Sequence, residues 1–593
     1  MTIWAGAAGS RQRFTGPLAH LRREVIQPGT LLGIGVAVVL AMLVMTPLVR
    51  LLASTLTADG LGAWRQIVAS DLSRNLLWRP LSNTLALGLM VGIGATLTGG
   101  ILAWLVVLTD VPGRRLLGGL AAIPFALPSF AVALAWEAVF RNDRVGGHVG
   151  ILQNLGLSVP DWLAWGVVPV AATLTIHYYS LSFALVAAAL ASVHGDLLEA
   201  AEMTGASRRR VLGGIALPLV LPSVLAAGLL AFAEGVSNFA APALLGLPVR
   251  FHTLSTRLYG ALSIGQVERG FVLSVLLIGV SAALLSAGSR LIGGRRSFAV
   301  ITGKGKRLVP LRFGMWRWPA FVAAFLFSVV TTIVPTAILL AASFLRQPGS
   351  VAGGLTGHYW IGASNPAIAQ GQRGILRDAQ FLQAAGTTVT LGLTVAAAAT
   401  ILGLMIGYAV TRGRLRWLSG LIGQLSYVPI LIPGIALGGA FIAQFGRPIG
   451  PLPALYGTFA LLVIAGAAYT LPFAGQSGRA AMTQVSGDLE ESATMAGARL
   501  PRRLVAIFVP LVARSMIAGA VLVFVKIIRD LSLMVLLMTP ATPLLSVVAF
   551  RYASEGFVQF ANAITAVIVL LSVGATLLAR RLQKATLPWM HHE

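Results

Sequence analysis

Cysteine is absent from this chain of 593 residues, which excludes disulfides and thiolate metal sites. Charge is scarce: 11% of the residues are charged, where soluble proteins use roughly a quarter. Acid is scarcest, with 19 Asp and Glu against 44 Lys and Arg. Catalytic motifs are missing too. No Gly-x4-Gly-Lys-Ser/Thr phosphate loop occurs, and GKGKR at 303–307 lacks both the spacing and the following hydroxyl residue. Neither a His-Glu-x2-His metal motif nor a Ser-centred nucleophile elbow is present. The expectation is a chain that is no enzyme, with no catalytic residue, no metal site and no cofactor of its own.

What fills the sequence instead is apolar, 56% of it, more than a water-facing fold can hide. Lys and Arg fall in short clusters between apolar runs of about 20 residues. That distribution points to a membrane surface and sets nucleic acid aside as a partner. Twelve apolar segments can be drawn, near 31–54, 82–108, 118–140, 165–192, 217–246 and 270–292, then 319–345, 384–410, 418–445, 453–479, 510–538 and 560–580. Lipid cannot satisfy an open strand, so all are expected as helices. The fold class is an all-α polytopic membrane protein with about 12 transmembrane helices in two tandem six-helix repeats. Residues 1–30 form a basic tail, 31–292 the first half, 293–318 a basic linker, 319–584 the second half and 585–593 a short tail. Arg114, Arg115, Arg208 to Arg210, the linker, Arg412 to Arg416 and Arg499 to Arg503 all fall on one side. The positive-inside bias makes that side, with both termini, cytosolic.

The clearest sign of duplication is a polar loop kept twice. GDLLEAAEMTGASRRRVLGGIALP (195–218) overlays GDLEESATMAGARLPRRLVAIFVP (487–510) at one constant offset. Each copy reads as a short helix begun by Gly-Asp, since Asp suits the positive end of the helix dipole. A bend follows at Gly205 or Gly497, where glycine permits φ > 0. The third and ninth spans also repeat, with Pro124 and Pro128 matching Pro429 and Pro433. Two prolines four apart cannot sit in an undisturbed helix, so each half is expected to carry a broken or kinked span at the same place. Paired breaks in two halves of a carrier point to the transport path.

Charges inside spans are costly and face the protein interior or a wet cavity. Glu234 in the fifth span aligns with Lys526 in the eleventh, Asn238 with Asp530, and Ser237 with Arg529. Glu234 and Asn238 share one helix face, as do Lys526 and Asp530. Related by a pseudo-twofold axis, these faces could meet at the centre, lining a gate or fixing the halves by an ion pair. His177, Tyr178 and Tyr179 cluster in the fourth span, more in the manner of interhelical hydrogen bonds than of a metal site.

The pattern Glu-Ala-Ala, three residues, Gly, nine residues, Ile-x-Leu-Pro resembles the cytosolic coupling loop of ABC importer permeases. Glu199, Ala200, Ala201, Gly205, Ile215, Leu217 and Pro218 fit it, and Glu491, Ser492, Ala493 and Gly497 repeat it with Ser492 in place of Ala and Val509 in place of Leu. The segments 232–262 and 524–556 look like those of fused permeases of the ferric-iron type, whose relatives carry thiamine, polyamines or aminophosphonates. Asp530-Leu531-Ser532 stands where that family usually has Glu-Leu-Pro. The resemblance implies a permease subunit in the bacterial inner membrane, with two copies of a separate ATPase that hold the ATP and Mg. It also implies a separate solute-binding protein, a path between the halves and ferric iron as the first cargo to consider. An ion-coupled secondary transporter using Glu234 or Asp530 is the alternative from a different class.

Overall fold

The computed structural model describes residues 27–193, 203, 213–214, 217–293, 313–448, 451 and 453–584. The first repeated loop, with Glu199, Ala200, Ala201 and Gly205, lies outside the described residues.

Ten helices among the described residues are long and apolar enough to cross a membrane. Two further pairs, Arg114–Ala126 with Ser129–Phe140 and Arg416–Leu431 with Gly434–Phe445, turn through 93° and 109° at their junctions. Counting each pair as one span recovers the expected twelve, in the expected order. The breaks fall where the prolines predict. Pro128 and Pro433 are extended, at ψ 142° and 135°, and precede the second helix of each pair. Pro124 and Pro429 open 3-10 turns. The outcome is a full break in each half.

Small residues set the closest helix crossings. In the second half, helices Ala379–Arg412 and Phe459–Thr483 touch backbone to backbone: a Cβ on Gly478 would lie 1.8 Å from the Gly403 carbonyl oxygen. In the first half, a Cβ on Gly99 would lie 2.4 Å from the Tyr179 carbonyl oxygen, across the matching pair Arg79–Leu108 and Val167–Ala191. Lipid tails are as apolar as the helices, so such close packing replaces the hydrophobic drive that operates in water.

The halves of the sequence are not separate bodies in space. The first helix packs Val36, Leu40 and Val44 against Ile406, Leu418 and Ile422 of the second half. In return the helix Arg317–Ala342 packs on Ser129–Phe140, and the Tyr179 hydroxyl meets Thr331 Oγ1 at 2.9 Å. Each half lends its first span to the other.

The fifth and eleventh spans end sooner than expected. Their helices stop at Ser237 and Ile528, not near 246 and 538. The cause is the same in both. Asn238 Oδ1 accepts the backbone N–H of Ala241 at 3.1 Å, and Asp530 Oδ1 accepts that of Leu533 at 2.8 Å. A short polar side chain that takes a backbone donor three residues on competes with the helix it follows. Both chains then run into short helices that the apolar pattern missed, Leu254–Ser263 and Leu545–Ser554. These are tied back by matching bonds, Ser255 Oγ to the Asn238 carbonyl at 3.0 Å and Ser546 Oγ to the Asp530 carbonyl at 2.7 Å. Outside the bundle, Ala58–Val68 is a short helix, and the loop 346–383 carries an antiparallel hairpin, Leu345–Gln347 with Ser350–Leu355.

Candidate functional site

The two broken spans and the two early helix ends converge on one small, partly open cavity of about 60 Å³. Pro128, Glu234, Ser237 and Asn238 of the first half line it together with Lys526, Arg529 and Asp530 of the second. Every expected path residue except Pro124, Pro429 and Pro433 therefore reaches the cavity. Those three sit in the break segments behind it, and Gly434, next to Pro433, forms part of the wall.

Glu234 and Lys526 share the cavity, but Lys526 finds a different seat from the one symmetry suggests. Its Nζ lies 4.8 Å from the centre of the Tyr469 ring and 5.3 Å from that of Phe473, a cation–π contact on two faces. Arg529 reaches across to the first half. Its Cζ sits 4.5 Å from the Phe125 ring, and its Nη1 donates to the Leu127 carbonyl, in the first proline break, at 3.2 Å. Asn238 donates from Nδ2 to Ser129 Oγ at 3.1 Å and to the Tyr178 hydroxyl at 3.2 Å. His177 is buried, stacks on Phe125 and meets Tyr178 edge-on. Beside the cavity, Phe239 and Tyr259 of one half close on Phe550 of the other.

Tyr469 and Phe125 are cavity residues that escaped the sequence reading. Tyr469 aligns with His177 at the same offset that relates Glu234 to Lys526, so the repeat itself held that signal. Phe125 lies between the two first-half prolines and reads as ordinary packing until Arg529 is placed on it.

In the segment after the first broken span, Arg141 pairs with Glu137 and donates from Nε to the His148 carbonyl at 2.9 Å. Burial, with Arg141 nearby, pushes the His148 ring down to about 4, so it is neutral at physiological pH.

The second repeated loop is built as expected. Gly487–Met495 is a helix of 9 residues. It ends in a Schellman turn, with Ala498 N–H bonded to the Ala493 carbonyl at 2.9 Å and Gly497 N–H to that of Thr494 at 3.0 Å. Gly497 has φ +79° and open space around its α-carbon, so backbone conformation alone calls for glycine there. Glu491, Ser492 and Met495 are exposed and Ala493 half-buried, which leaves the helix with an uncovered outer face.

Its inner face is fixed by Glu490, which the sequence reading passed over. The Tyr408 hydroxyl donates to Glu490 Oε1 at 2.7 Å, and Arg503 and Arg412 lie 3.4 Å and 3.8 Å from the carboxylate. The aligned residue of the first loop is Leu198, so a change in kind between the copies was the available clue. Replacing Glu490 by Ala leaves two half-buried guanidinium groups facing each other. We expect a loss of about 2 kcal/mol at this contact. The check is limited trypsin digestion, with cleavage at Arg499 rising at least tenfold over wild type.

Duplicated helices interlocked around a charged central cavity make the architecture of a membrane transport subunit. Two segments, 95–297 and 399–592, match the family described as binding-protein-dependent transport system inner membrane component; they cover more than half of the chain, which belongs to that family. The family is the membrane component of ABC importers, and this chain carries it twice, as a fused permease. The chain is 24% identical, over 80% of its length and 73% of the relative's, to a Haemophilus influenzae protein named as a ferric transport system permease. It is 26% identical, over 78% and 79%, to a Sinorhizobium fredii protein named as an ABC transporter permease. Over 30% of its length and 61% of the relative's, it is 28% identical to a Salmonella typhi protein named as a 2-aminoethylphosphonate transport system permease.

Proposed function

We propose that this chain forms the path of an ATP-driven importer and takes its motion from a separate ATPase docked on the two repeated loops. The observation that carries the reading is the helix Gly487–Met495, anchored on its inner face by Glu490 and uncovered on its outer face at Glu491, Ser492 and Met495. An exposed helix held this firmly transmits a push to the span Leu500–Ile528, which it joins through a single bend. That span ends at Lys526 and Arg529, against the cavity. One helix therefore links the loop to the cavity.

Under this reading Glu199, Ala200, Ala201 and Gly205 dock a second copy of the ATPase, which holds ATP and Mg. A binding protein delivers cargo from outside, and both termini are cytosolic. Glu234, Asn238, Lys526, Arg529 and Asp530 line the path, and Pro124, Pro128, Pro429 and Pro433 shape the breaks that hinge it. Ferric iron is the first cargo to test, because relatives bearing that name match along most of the chain. Aminophosphonate comes second, on a relative that matches less of it, followed by thiamine and polyamines.

The test is uptake of ⁵⁵Fe and of labelled 2-aminoethylphosphonate into proteoliposomes holding the chain with its ATPase and binding protein. Uptake should require ATP and survive collapse of ion gradients. Uptake that needs no ATP and stops when proton or sodium gradients are dissipated would establish the secondary-transporter alternative instead.

A further inference from the structure

The cavity has an uneven balance of satisfied charge. Its two acids have partners. Asp530 accepts the Leu533 N–H and lies beside the Tyr469 phenol, and Glu234 lies beside that of Tyr178. Its two cations make no direct contact with these acids and feel Asp530, and for Arg529 also Glu234, only through space. Among the described residues no carboxylate comes within ion-pair distance of Lys526 or Arg529. Lys526 rests on aromatic faces, and Arg529 has one ring face and one carbonyl for five donors. Aromatic faces and a neutral carbonyl offset only part of a full charge at these half-buried positions.

We propose that Lys526 and Arg529 form an oxyanion subsite in the path, so that what crosses is a small oxyanion or a cation that brings one with it. This rests on the importer reading and deepens it. Both side chains border the same cavity, one point-like ammonium and one planar fork, which is the pairing that phosphate-like groups engage. A bare trivalent cation would meet those two positive charges beside the carboxylates of Glu234 and Asp530. A phosphonate, phosphate or sulfate group supplies what both lack, and Glu234 across the cavity can take an ammonium carried by the same molecule. The repeat supports a cargo-directed role. Lys526 and Arg529 align with Glu234 and Ser237, so the cationic pair belongs to one half only and symmetry does not demand it.

The test uses the full chain in lipid nanodiscs without ATPase, titrated calorimetrically with inorganic phosphate, 2-aminoethylphosphonate and, as a cationic control, spermidine. Both oxyanions should bind. Lys526→Gln and Arg529→Gln should each weaken them at least tenfold, Lys526→Arg should recover to within about threefold of wild type, and spermidine should not compete. Lack of oxyanion binding to the wild-type chain, or equal binding in all variants, overturns the proposal. So does spermidine displacing phosphate. Two uptake arms separate the sources: phosphonate taken up without iron marks the oxyanion as cargo, and ⁵⁵Fe uptake that needs added phosphate marks it as the companion of a cation. Failure of the titration leaves ATP-coupled uptake standing, and failure of ATP coupling leaves the titration standing, so the two readings fall separately.

Discussion

Reversing the charge on both repeated loops, Glu199→Arg with Glu491→Arg, should separate the chain from its ATPase without unfolding it. Glu491 is exposed on the outer face of its helix, while the contact that holds the helix in place belongs to Glu490. A reversed charge at a docked surface typically costs about 2–5 kcal/mol, which is at least a thirtyfold weaker complex. Co-purification with the ATPase should fall accordingly, and cargo-dependent ATP hydrolysis should drop to the level of the ATPase alone. The single Glu491→Arg variant should show a partial loss, because the second dock remains. Unchanged co-purification in the double variant would mean that these loops are not the attachment points.

The second large effect concerns stability. Gly478→Leu should unfold the second half, because even a Cβ at this position would lie 1.8 Å from the Gly403 carbonyl oxygen. Gly403 and Gly407, on the facing helix, approach nearly as closely, with built Cβ atoms 2.3 Å from the Ala474 carbonyl oxygen and 2.4 Å from the Gly478 carbonyl carbon. Three tight contacts along one crossing leave no neighbouring side chain that can move aside. We expect a loss of about 3 kcal/mol or more, read as a lower melting temperature in detergent and a reduced yield of folded chain. The contrast lies on the facing helix, Ala379–Arg412. Gly386 has nothing within 4 Å of a built Cβ, so Gly386→Ala should be neutral or stabilise by about 0.5–1 kcal/mol. Equal effects of the two substitutions would contradict the packing account.

The sequence carried the count and order of spans because lipid imposes a long apolar run on every crossing segment. It carried the two breaks because proline removes a donor wherever it stands. The early ends at Ser237 and Ile528 were harder to see, since Asn238 and Asp530 act through bonds to backbone N–H groups and leave the surrounding apolar composition unchanged. The short helices Leu254–Ser263 and Leu545–Ser554 are too brief and too mixed for a hydropathy pattern to register. The exchange of first spans between the halves is a matter of packing partners, which periodicity cannot specify. At the cavity, alignment of the halves predicted that Glu234 would meet Lys526. Both do reach the same space, but Lys526 rests on Tyr469 and Phe473, aromatic rings from a neighbouring span. Charge alone suggested the meeting place, and only the fold supplied the rings.

The central claim is that the helix Gly487–Met495 is the seat of the motor. Because the chain has no cysteine, a single cysteine can be placed without removing others. A photoreactive group on Ser492→Cys, exposed on the outer face, should form an adduct with the ATPase subunit in the assembled transporter, with a yield that changes when ATP is added. The same group on Val351→Cys, exposed on the hairpin at the other side, should give none. An ATPase adduct from residue 351, or none from residue 492 in a complex that still couples ATP to uptake, would contradict the account.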